Sequence, residues 1–83
     1  MSFTLIEKFE FNLKLSDLFE KNKMINDAAS SAEIAYLLLK DNPDIEKDIQ
    51  HELEILNRMI YFHNTLGNHD KAISYSKILL NLN

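Results

Sequence analysis

One Gly and one Pro in 83 residues leave this chain few places to turn. Chains built from many short strands need a turn every eight to twelve residues, and those turns draw on Gly and Pro. Here the two breakers, Pro43 and Gly67, stand far apart and divide long unbroken runs. The hydrophobic share of 46% is enough for a packed core, so the chain reads as ordered. The expected fold is all-α: a single domain over residues 1–83 with about four helices in two antiparallel hairpins. Their approximate bounds are 4–22, 26–40, 43–66 and 69–82.

The helix signals are most explicit in the third segment. Asn42 can cap, Pro43 suits the first helical position, and Asp44 and Glu46 complement the dipole. Ile45, Ile49, Leu53, Leu56, Ile60 and His63 then follow at spacings of three and four, which places them on one face. A neighbouring ridge is charged at Asp48 and Glu52 and turns apolar at Ile55, Met59, Phe62 and Leu66. Gly67 closes the segment as a C-terminal glycine does. In the second segment the inner face reads Ile25, Ala28, Ala29, Ala32, Ala35, Tyr36 and Leu39, with small side chains that let two helices approach closely. Ile34, Leu37 and Leu38 point elsewhere.

The first segment opens with a T-x-x-E capping box, Thr4 and Glu7, followed by Leu5, Ile6, Phe9 and Leu13 on one helical face. Phe11, Leu15, Leu18 and Phe19 lie on the other. The run FEFNLKL also alternates as a strand does, so residues 9–15 admit both readings. Helix is preferred, with a bend near Asn12–Ser16 allowed, because a lone strand has no partner in a helical chain. The last segment, with Asn68 as cap, reads with Ala72, Ile73, Ser76, Leu79 and Leu80 inward. Tyr75, Ile78 and Leu82 widen its apolar arc past half the circumference.

Residues 66–80 resemble the second half of a tetratricopeptide repeat. The matching elements are Leu66-Gly67 at the turn, His69-Asp70-Lys71 opening the next helix, then Ala72, Tyr75 and Leu80, with Asn83 beyond. The rest departs from that pattern. The family's Trp, Gly and Tyr fall on Leu56, Ile60 and His63, and its later aromatic and second Ala fall on Ser76 and Leu79. The helix from Pro43 is longer than the family's by about two turns, against a repeat of ~34 residues. A weaker echo runs through LFEKNKMINDAASSAEIAYLLLKDNPD. The resemblance implies stacked helical hairpins that bind proteins; it implies no particular partner.

Charge and motifs narrow the function. The formal net charge is −4, and the nine Lys and Arg are scattered, which disfavours a nucleic-acid partner. With no Cys, disulfides and thiolate metal sites are excluded. The first residues carry acidic groups where a signal peptide has basic ones, and no run approaches the ~20 apolar residues of a membrane span. A cytoplasmic location is expected. His51, His63 and His69 lack metal-ligand spacing, and no phosphate loop or nucleophile motif is present. No catalytic residue, cofactor or metal is therefore expected, and the chain reads as non-enzymatic.

What remains is surface. Tyr75, Ile78 and Leu82, with Ile34, Leu37 and Leu38, form a candidate oligomer or partner interface. Asp44, Asp48, Glu52, Arg58 and Tyr61 form a candidate acidic or polar docking surface, although dipole and solvent already account for most of the carboxylates there. The last helix keeps the apolar outer surface of an internal helix, so a neighbour is expected to cover it. A second copy of the chain, giving a dimer, is the simplest candidate, and a different protein the next. A regulator that binds and inhibits another protein falls in the same class. The alternative is an accessory factor at a nucleic-acid or membrane surface, inserting Phe3, Phe9 and Phe11; net acidity and the Glu7/Glu10 pair oppose it.

Overall fold

Four α-helices follow one another with short turns between the first pair and the last pair. They are α1 (Leu5–Lys21), α2 (Ile25–Asp41), α3 (Ile49–Leu66) and α4 (His69–Leu82). The computed structural model describes residues 4–42 and 49–82, the side chains of Ile49 and Gln50 excepted. The expected entry to the third helix at Asn42-Pro43-Asp44, with Ile45, Glu46 and Asp48, falls mostly outside those residues. Among the described residues there is no strand, and FEFNLKL lies within one uninterrupted helix.

The helical outcome at residues 9–15 has a local cause. Thr4 Oγ1 accepts from the Glu7 backbone N–H at 3.1 Å, and Glu7 Oε1 accepts from the Thr4 N–H at 3.0 Å. This reciprocal cap satisfies two orphan donors and fixes the first turn. From there Phe9 and Ser16 are carried into the core, and Leu13 and Phe19 pack against it. Leu5 and Ile6, grouped by spacing with Phe9 and Leu13, are about half exposed.

Each helix packs chiefly on its neighbours in sequence: α1 on α2, α2 on α3, α3 on α4. The result is a flat array, 37 × 31 × 16 Å. The central position of α2 is set by its alanines. Ala28, Ala29, Ala32 and Ala35 are buried, so α2 brings its backbone close to both flanking helices. Ser16 sits fully buried opposite them and donates to the Ala28 carbonyl at 3.0 Å, which satisfies its hydroxyl. On α3 the buried side chains are Ile55, Leu56, Met59, Phe62 and His63, drawn from both ridges, because α3 has α2 on one side and α4 on the other.

Both short turns use the same device. At the end of α3, Asn68 N–H bonds the His63 carbonyl at 2.7 Å and Gly67 N–H bonds that of Asn64 at 3.1 Å, with Gly67 at φ 82°. At the end of α1, Met24 N–H bonds Phe19 O at 2.8 Å and Lys23 N–H bonds Glu20 O at 2.9 Å. These are Schellman turns, which need one left-handed residue. In the first that residue is Lys23, at φ 61°.

The faces of α4 differ from the expectation. Ile73 is 54% exposed and Leu80 69%, so neither lies inward. Ala72 is buried, while Tyr75, Ile78, Leu79 and Leu82 are partly buried and packed against the core. The apolar arc was wide enough to be centred in two ways. The position of Tyr75 against α2 and α3 decides between them.

Candidate functional site

A group of polar side chains lies where α2, α3 and α4 meet. Glu33 stands on the rim of the α2 inner face, four residues after Ala29 and three before Tyr36. Its Oε1 is 2.7 Å from His63 Nε2, 3.4 Å from the Tyr75 hydroxyl that donates to it, and 3.8 Å from Lys71 Nζ. Asn68, in the turn, lies 3.3 Å from the other ring nitrogen of His63 through its Nδ2. The Tyr75 ring stacks on His63 at 5.6 Å between centroids, and Tyr36 meets Tyr75 edge-on at 6.1 Å. One carboxylate on α2 thus gathers groups from α3 and α4.

Burial holds the Tyr75 phenol above its ordinary pKa, and the neighbouring Glu33 charge pushes it the same way. Tyr36 is also raised, chiefly by burial, against a lowering by Lys40. Lys40 itself lies 6.0 Å over the Tyr36 ring and bonds Glu52 at 3.1 Å, which raises the lysine's pKa. A third link joins Asp17 of α1 to Arg58 of α3.

The chemistry this arrangement offers is limited by access. A His–Glu pair is two-thirds of a nucleophilic triad, and the third member must be an accessible nucleophile beside the imidazole. His63 is only 3% exposed, with both ring nitrogens engaged. Nearby hydroxyls are committed elsewhere: Ser76 donates to Ala72 O at 2.7 Å and Thr65 to Tyr61 O at 2.8 Å. The cluster therefore acts as a fastener between helices. Among the described residues no group of three side chains could hold a metal ion, and no helix is long and apolar enough to cross a membrane.

The candidate surface residues are dispersed. Of the proposed interface, Ile34 and Leu37 are 48% and 58% exposed on α2, whereas Leu38 packs partly on the core, as do Tyr75, Ile78 and Leu82. Of the proposed docking surface, Asp44 and Asp48 lie outside the described residues. Glu52 is taken up by Lys40 and Arg58 by Asp17, and Tyr61 is 54% exposed beside Phe62. Sequence reasoning passed over Glu33, whose signal was its spacing from Ala29 and Tyr36 on the edge of the buried stripe. It also passed over Ile73 and Leu80 as outward groups.

Comparison with protein-family models gave no match, and neither did comparison with curated proteins or with solved structures.

Proposed function

We propose that this chain is a small non-enzymatic protein–protein interaction module or regulator, at work in the cytoplasm. It self-associates through apolar helix faces and binds a protein partner, as an inhibitor or an adaptor. One observation carries this reading: among the described residues ten large hydrophobic side chains are 44% exposed or more. Scattered exposed apolar groups need no explanation, but here they recur on α1, α2 and α4. The tetratricopeptide-like turn and α4 fit such a module, whose stacked hairpins present helix faces to partners.

Self-association is tested by light scattering behind size exclusion across a range of loading concentrations. A mass of twice the monomer, falling on dilution, supports the reading. A monomer at every concentration removes it. Partner binding is tested separately with Leu37→Glu and Leu80→Glu, which alter exposed positions only. Captured proteins lost with either substitution, while the circular dichroism stays unchanged, identify the face. Ile78→Glu and Leu82→Glu are poorer probes, because both residues pack on the core and their substitution also reports on stability.

A further inference from the structure

The four helices are anchored to different depths. Seven side chains of α2 are buried, and on α3 Ile55, Leu56, Met59, Phe62 and His63 are. On α1 the ring of Phe9 is buried, and so is Ser16, whose hydroxyl bonds a carbonyl of α2. On α4 the buried side chain is the methyl group of Ala72, while Tyr75, Ile78, Leu79 and Leu82 are partly covered. An element with few fully buried apolar groups opens before the rest of a fold. The polar groups permit that opening. Glu33 and His63, 2.7 Å apart, join α2 to α3 without help from α4. To the same carboxylate α4 adds the Tyr75 hydroxyl at 3.4 Å and the Lys71 ammonium at 3.8 Å, on a side chain 59% exposed. When α4 leaves, Glu33 and His63 keep each other, while Tyr75 and Lys71 pass into water. The His63 nitrogen that faced Asn68 is uncovered as the Tyr75 ring departs. No polar group is left buried without a partner, so the usual penalty for such a separation is absent. The pivot is short: Gly67 and Asn68 alone join α3 to α4, with Gly67 at φ 82° and nothing within 4 Å of where its Cβ would lie.

We propose that α4 is a flap, which opens as one unit about Gly67–Asn68 while α1, α2 and α3 stay folded. The Tyr75 hydroxyl on Glu33 is its catch. Opening uncovers the rings of Tyr36 and His63, which are 7% and 3% exposed in the closed form. The device belongs to a single chain, so it stands whether or not the protein self-associates.

Native-state hydrogen exchange, read amide by amide by NMR at one fixed low protein concentration, tests this. The amides of residues 73–82 are expected to share one opening constant, about a hundredfold or more above that of α2 and α3. Two substitutions separate the flap from global unfolding. Ser16→Ala weakens the α1–α2 contact, which the open form retains. It is expected to raise the opening constants of α2 and α3 about fivefold and to leave that of α4 unchanged. Tyr75→Phe removes the catch and keeps the ring, and is expected to raise the α4 opening constant about fivefold. An α4 that exchanges with the same constant as α2 and α3, and follows them in Ser16→Ala, overturns the flap. Protection that declines stepwise toward residue 82 overturns opening as a unit, and an α4 constant unmoved by Tyr75→Phe overturns the catch.

Discussion

If Glu33 and His63 fasten α2 to α3 and α4, their contributions to stability are coupled, and a double-mutant cycle measures the coupling. The imidazole is 3% exposed and the Glu33 side chain 28%, with 2.7 Å between Nε2 and Oε1. A hydrogen bond to a charged group contributes about 1.5–3 kcal/mol, and the partial exposure of Glu33 favours the lower end, about 1.5 kcal/mol. Glu33→Ala leaves a buried ring nitrogen without its partner, a cost of about 1–3 kcal/mol. His63→Ala also empties the space against Tyr75, and by comparison with other large-to-small changes costs about 3 kcal/mol. A chain of 83 residues has a net stability of about 4–12 kcal/mol, so each variant remains measurable by urea unfolding followed by circular dichroism. Protein concentration is held fixed, because association adds to apparent stability. The double variant is expected to lose about 1.5 kcal/mol less than the sum of the singles. A coupling below about 0.3 kcal/mol would refute the fastener, since that is the scatter of independent sites.

Four further expectations concern the two turns, the phenols and the alanine stripe. Lys23→Gly relieves a left-handed residue and should stabilise by about 1 kcal/mol, raising Tm by about 4–8 °C. Gly67→Ala should destabilise by about 1 kcal/mol through φ alone, because nothing lies within 4 Å of an added Cβ. Tyr36 and Tyr75 have pKa values raised in the folded state, so their contribution is complete below the ordinary phenol value and is lost as pH rises through the folded values. Tyrosinate absorbance should therefore show Tyr36 and Tyr75 ionising late, together with alkaline unfolding, and Tyr75→Phe should move that unfolding upward in pH. Ala32→Leu inserts bulk at a fully buried position and should cost at least about 1–3 kcal/mol in urea unfolding.

Much of the fold was legible because local signals agreed with one another. Thr4 and Glu7 announced the start of α1, and the Ala28–Ala29–Ala32–Ala35 stripe announced the side of α2 that meets its neighbours. Gly67 marked the end of α3. At the end of α1 the same turn passed without notice, because its left-handed residue is a lysine and carries no compositional signal. The faces of α4 were harder for a different reason. Periodicity locates the centre of a narrow stripe, but the apolar arc of α4 runs from Ile78 round to Ile73, and only contact with His63 and Tyr36 places Tyr75 inward. Glu33 was hidden in a similar way. A carboxylate on the rim of a helix face looks solvated until a second helix brings a histidine to it. The candidate surfaces were chosen by residue type, so Glu52 and Arg58 entered as docking groups although partners on other helices already hold them.

Self-association is read without any substitution by sedimentation equilibrium of the unmodified protein, from dilute solution to the highest soluble concentration. A monomer–dimer equilibrium whose mass approaches twice that of one chain is expected. A single species of monomer mass across the whole range would contradict it.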